Sequence, residues 1–339
     1  MNGSKRSWNR YWTLGSLAVI FAAAAAAMAI GRFTIAPKEL AAVLIPGSFP
    51  DVQVSGQVRT VISNIRFPRV VLALLSGAGL AAAGAAFQGL FANPLATPDT
   101  LGAANGASFG AVLGILLGLP AFGIQTLAMI TGVAAVLMAW SVAQVRGTIP
   151  PLMVILAGMV VSSLFSALVS LVKYAADPQD VLPSITYWLM GSMASTTRTT
   201  LIMGAPFILA GSLLLFLLRW KLNTMSLPED EAKSLGIPVK RIRSLVILGA
   251  AMVTAAVVSM CGQIGWIGLL TPHMVLMIFG NDNRSVVPAS MASGALFMLI
   301  IDTAARSVMA TEIPVSILTS LIGAPCFILL LRKTGGIRL

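Results

Sequence analysis

Charge is what this sequence has least of. Only 10% of its 339 residues are Asp, Glu, Lys or Arg, whereas 57% are hydrophobic and the mean hydropathy is +0.92. A soluble chain of this length has no way to hide that much apolar surface, so membrane residence is the first conclusion. Chemistry-bearing residues are equally scarce. Two cysteines, Cys261 and Cys326, lie in separate apolar runs without a C-x-x-C spacing, and they read as inert buried thiols. No Cys/His cluster has metal-site spacing, and there is no G-x-x-x-x-G-K-[ST] phosphate loop, H-E-x-x-H or G-x-S-x-G. The single histidine, His273, follows Pro272 in an apolar run. It reads as a packed, hydrogen-bonded residue, with proton relay or ligand contact as the alternative. These absences argue against an enzyme of small-molecule chemistry. Ion-coupled carriers keep ionisable groups inside their spans, and here Asp302 and Arg306 come closest, four residues apart as a helical ion pair.

What is present is apolar length. A bilayer crossing needs roughly 20 mainly apolar residues, and charge-free runs supply about ten. They are 11–31, 70–98, two within 100–145, 147–172, 199–218, two within 244–281, 285–301 and 313–331. The first run is too long for a signal-peptide core and reads as a span. Segment 181–197 is uncharged but short, with Pro183 and Trp188, and reads as an interfacial or re-entrant helix. Ten crossings place both basic termini on one side. Basic loops stay cytoplasmic, so both ends lie inside. On that topology the inner side holds 14 of the 22 Lys/Arg and 5 of the 11 acids. The net charge of +11 therefore reflects membrane orientation rather than nucleic-acid binding.

The chain reads as one transmembrane domain, 1–339, with an outer segment at 32–69 that includes a short surface helix around 37–44. Gly102, Gly106, Gly110, Gly114 and Gly118 recur every four residues, a stripe suited to tight helix packing in lipid, with a pore lining as the sharper alternative. The longest inner segment, 219–243, contains a coupling segment, 222–240, that holds 226-SLPEDEAKSLGIP-238. Ser226-x-x-Glu229 is a capping-box pattern, the acids Glu229, Asp230 and Glu231 sit at the N-terminal end, and Gly236 is placed to stop the helix. A free-standing helix of about nine residues follows, far too short to cross. It reads as a docking helix for a cytoplasmic partner, with a solvated loop as the alternative.

The chain resembles, over nearly its whole length, the permease subunits of ABC importers for ferric siderophores, haem and cobalamin. Four segments carry the resemblance: 65-IRFPRVVLALLSGAGLAAAGAAFQGLFANPLATPDTLGAANGASFGA-111, 187-YWLMGSMA-194, 222-LNTMSLPEDEAKSLGI-237, and the last third with GWIGLLTPH, Asp302, Arg306, 312-EIP-314 and 323-GAP-325. It implies an all-α inner-membrane permease of about ten helices, paired as a homodimer. Two ATP-binding subunits would lie below, and an extracytoplasmic substrate-binding protein above. It implies no cofactor in this chain, ATP and Mg being held by the ATPase. By the same analogy Ser226, Glu229, Asp230, Glu231, Ala232, Leu235 and Gly236 seat in the ATPase. Asn93, Pro94 and Leu95 form a cytoplasmic gate, or a purely structural turn. Arg66, Arg69 and Arg306 meet the binding protein's carboxylates, with headgroup contacts or local ion pairs as the alternative. Thr271-Pro272-His273 stands where the family commonly has Val-Pro-His, and the coupling segment begins L-P-E-D where L-G-E is more usual. The implied cargo is an iron chelate, ferric siderophore first, then haem or cobalamin.

Overall fold

In a computed structural model, residues 2–45, 47, 49–144, 150–227 and 229–333 are described, and every regular element among them is helical. Helix α1 (Asn2–Ala29) carries the alanine run. Helix α2 (Pro37–Leu44) starts on a proline, and the Glu39 carboxylate accepts from the Ala36 amide at 3.0 Å, one half of a capping box. Helix α3 (Gly56–Thr60) is capped by the Ser55 hydroxyl. It runs through a π-helical segment, Val61–Arg66, into α4 (Phe67–Phe91). This corrects the second span's expected start at Val70: the helix begins at Gly56, because Arg66 and Arg69 are buried within it rather than marking its exit into water.

The remaining helices are α5 (Ala103–Leu116), α6 (Ala121–Ala143), α7 (Pro151–Ala175), α8 (Val181–Leu189), α9 (Arg198–Leu222), α10 (Glu229–Ser234), α11 (Val239–Cys261), α12 (Ile267–Phe279), α13 (Asn283–Ala305) and α14 (Val315–Lys333). Among the described residues six helices are long and apolar enough to cross a membrane, and four shorter apolar helices accompany them at Gly15–Ala29, Ala103–Leu116, Ile267–Phe279 and Val315–Leu330. Nine residues make up α8, which covers only the first half of 181–197.

The apolar windows of α4 and α11 are 78% buried, against 28% for α7, so α4 and α11 form the interior and α7 lies outside. Small residues make this centre. Gly77 of α4 and Gly294 of α13 let the two backbones touch; a Cβ on Gly294 would sit 2.5 Å from the Ala81 Cβ. The glycine stripe divides in the same terms. A Cβ on Gly106 would lie 2.5 Å from the Ala135 Cβ, and one on Gly110 would lie 2.5 Å from the Leu127 carbonyl oxygen, so both let α5 lie on α6. Gly114 is looser, 3.2 Å from Ile124. Gly102 and Gly118 leave the stripe: each sits at an end of α5 with left-handed backbone, φ +81° and +65°, and Gly118 has no neighbour within 4 Å.

Candidate functional site

Helix α4 joins two unlike ends. Its 25 residues span about 37 Å, with Arg66 and Arg69 at the start and Asn93–Leu95 just past the finish.

At the arginine end, Asp302 of α13 is fully buried. Arg69 donates to Asp302 at 2.8 Å and to Glu312 at 2.9 Å, and the Arg306 Nε lies 3.6 Å from the other Asp302 oxygen. Arg66 donates to the carbonyls of Met28 at 2.5 Å, Ala29 at 2.9 Å and Phe33. Arg306 donates to Ile30 at 2.7 Å and to Ala27. The carbonyls at 27–30 end α1, where no further turn satisfies them and the helix dipole is negative. Three guanidinium groups against two carboxylates leave one positive charge over, and the end of α1 absorbs it. Arg66, Arg69 and Arg306 are only 5%, 6% and 7% exposed. The expectation of a docking surface on these three therefore needs correcting. They are interior ties: most of their donors bond within the chain, Arg69 Nη2 and Arg306 Nε being buried without a hydrogen-bond partner, and local ion pairs hold the cluster. Exposed cations in the neighbouring segments include Arg32, Lys38, Arg59 and Arg198.

At the turn end, α4 closes with Ala92 in left-handed backbone, φ +46°, and the Asn93 amide donates to the Gln88 carbonyl at 3.2 Å. The Asn93 side-chain oxygen accepts from the Leu95 amide at 2.9 Å, and Ala96 N–H returns to the Asn93 carbonyl at 3.1 Å. Asparagine and proline thus turn the chain by local hydrogen bonds. Leu95 is 42% exposed rather than set into apolar packing.

Segment 222–240 leaves α9 by a 3-10 turn, Asn223–Ser226, and then forms α10. Pro228 and the side chains of Ser226 and Glu229 lie outside the described residues, as do Arg146 and Arg338. The helix is six residues long, shorter than the nine expected, with Ser226 in the 3-10 turn ahead of it and the expected left-handed stop at its end. Gly236 has φ +72°, its amide donates to the Lys233 carbonyl at 2.9 Å, and the Ile237 amide reaches the Ala232 carbonyl at 3.1 Å. Ala232 is buried against the body of the protein, while Asp230, Glu231, Leu235 and Gly236 are exposed, Leu235 by 68%. One face of α10 is therefore seated and the other is presented.

A cavity of about 390 Å³ adjoins the turn, lined by Gln88, Asn93, Pro94, His273, Asn281 and Asn283 among others. Gln88 donates to the Leu269 carbonyl at 3.2 Å, which leaves its side-chain oxygen buried without a partner. Both ring nitrogens of His273 are likewise buried and unpartnered, which corrects the expectation of a hydrogen-bonded histidine. Its ring instead meets Phe327 edge-on at 5.7 Å. Sequence reasoning gave no role to Gln88, which stands within the 65–111 segment, or to Asn283, because their settings exist only once α4, α12 and α13 are packed.

The model for the FecCD transport family matches residues 17–333. The chain belongs to that family. This FecCD chain is accordingly an ABC transporter permease, a multi-pass protein of the bacterial inner membrane. It is 39% identical to the molybdate import system permease protein MolB of Haemophilus influenzae, over 90% of each chain. It is 35% identical to the hemin transport system permease protein HmuU of Yersinia pestis, over 80% of this chain and 82% of that one. A solved structure of a metal-chelate type ABC transporter in an inward-facing conformation superposes with a TM-score of 0.84 at 38% identity, covering 94% of the FecCD chain and 98% of the other.

Proposed function

We propose that this permease imports a metal chelate, an iron chelate first, on ATP hydrolysed by a separate subunit. The observation that carries the reading is the presented face of α10 in a chain that matches the FecCD family from 17 to 333. The working unit is a homodimer of the single 1–339 domain with about ten crossings per copy and both termini cytoplasmic. Two ATP-binding subunits seat on α10, and an extracytoplasmic substrate-binding protein docks at the arginine end, which Arg66, Arg69 and Arg306 brace from within. Helix α8 stands at the mouth of the path, and Asn93, Pro94 and Leu95 close its inner end. ATP and Mg belong to the ATPase, and this chain holds no cofactor.

The test is reconstitution with the cognate ATPase and binding protein. Hydrolysis is expected to rise when the loaded binding protein is added. Leu235→Asp is expected to abolish that rise while leaving the permease folded, since Leu235 is exposed and surface substitutions shift stability by about 0.5 kcal/mol or less. A Leu235→Asp complex that assembles and hydrolyses normally counts against α10 as the coupling helix. Molybdate is the second reading, favoured by the similarity to MolB. Uptake of radiolabelled ferric siderophore in competition with molybdate separates the two.

A further inference from the structure

Between α10 and the Asn93–Leu95 turn stands a short chain of contacts that no motif announces. Asn223 opens the 3-10 turn that leads into α10. Its side-chain amide donates to the Asp282 carboxylate at 2.7 Å, and its side-chain oxygen accepts from the Asn283 backbone N–H at 2.8 Å. One side chain therefore uses both ends to hold the α12–α13 junction, 59 and 60 residues away. Asp282 is fixed in turn, capping α13 by accepting from the Arg284 amide at 3.0 Å.

On the far side of that junction Asn283 is 5% exposed and lies against Gly89, the last glycine of α4. A Cβ on Gly89 would come within 2.9 Å of the Asn283 side-chain oxygen, so the contact has no slack. Gly89 is four residues before Asn93. Beyond it the packing opens: Asn283 and Asn93 both line the 390 Å³ cavity, with the unpartnered atoms of Gln88 and His273 in its wall. Close-packed interiors transmit displacement, and a void beside a turn gives it room to move. The unpartnered buried polar atoms in that wall require water or a second arrangement to satisfy them.

We propose that Asn223 is a positioning residue, the strut through which movement of α10 reaches the Asn93–Leu95 turn by way of Asp282, Asn283 and Gly89. The proposal rests on the importer reading above. It requires a pairing that can be broken and remade by chemistry. Asn223→Asp sets a carboxylate against Asp282 and removes the donor between them. Adding Asp282→Asn restores a donor facing an acceptor, keeps an acceptor for the Asn283 amide, and retains a good helix cap.

The experiment uses the full chain with its ATPase subunit in lipid nanodiscs, carrying Leu95→Cys in a Cys261→Ala, Cys326→Ala background. The rate of Leu95→Cys labelling by a methanethiosulfonate reagent is measured nucleotide-free and after trapping with ATP and vanadate. With Asn223 intact the two rates are expected to differ about tenfold. With Asn223→Asp the ratio is expected to shrink by about fivefold or more, the size of an ordinary coupling energy, while vanadate still traps the ATPase. With Asn223→Asp and Asp282→Asn together the ratio is expected to return. An unchanged ratio in Asn223→Asp overturns the proposal, and so does a double variant no better than the single. If Asn223→Asp fails to assemble, Asn223→Ser replaces it: serine is one bond shorter and loses the reach to both Asp282 and the Asn283 amide, and an undiminished ratio there overturns the strut equally. A chain with Asn223 intact that shows no nucleotide-dependent labelling overturns the Asn93–Leu95 turn as a gate, and the strut with it, whereas failure of the loaded binding protein to stimulate hydrolysis overturns the importer reading.

Discussion

The two ends of α4 are built on opposite terms. At the arginine end, charges are buried and joined across 233 and 243 residues of sequence, and the carbonyls that end α1 are consumed by two guanidinium groups. At the turn end, the hydrogen bonds that shape Asn93–Leu95 link residues no more than five apart; Leu95 is exposed, and a cavity lies alongside. A buried ion pair is costly to break, whereas a locally bonded turn beside a void opens at low cost. The fold thus concentrates rigidity where its helices must stay in register and leaves freedom at the turn that the proposed function makes a gate.

That contrast can be attacked from the stronger end first. Asp302→Ala strands Arg69 and Arg306 in the interior, and the expected loss is about 3–5 kcal/mol, seen as a large fall in unfolding temperature of the purified permease. A loss below about 1 kcal/mol would mean water reaches the cluster and would dissolve the distinction. Arg66→Met keeps the bulk of the side chain but removes the donors to Met28, Ala29 and Phe33. Its expected cost is about 1–3 kcal/mol, accompanied by faster hydrogen exchange at the end of α1. The smallest effect belongs to the turn end. Ala92→Gly relieves the left-handed alanine and is expected to raise stability by about 0.5–1 kcal/mol in the same unfolding measurement. If it destabilises the protein instead, the turn is held more tightly than its contacts indicate and the two ends are less unlike than drawn.

Sequence patterns marked the turn end better than the arginine end, and the reason is range. Gly236, with its left-handed stop, and the Asn-Pro turn are local devices, written by residues a few positions apart. The arginines misled because charge was taken to mean exit from the membrane, whereas Arg66 is satisfied by backbone carbonyls 33 to 38 positions earlier, partners that carry no side-chain signature. The same applies to Asn223 and Asp282. Their pairing exists only after α9 and α13 have packed, so neither residue stood out. The glycine stripe was partly legible: its period marked Gly106 and Gly110, which pack on α6, but it also took in Gly102, a left-handed end of α5 set against Val161 and Ser162 of α7, and Gly118, which packs against nothing within 4 Å.

One consequence of the early start of the second long helix lies in its length. From Gly56 to Phe91 the chain stays helical for 36 residues, through the π-helical turn at Val61–Arg66, a length of about 50 Å, whereas the hydrocarbon layer is about 30 Å thick. It stands in the bilayer like a tiller in its post, and a swing of about 5° at one end sweeps the other through about 5 Å. The bulky contacts that grip its head thereby set the angle at which its foot meets Asn283.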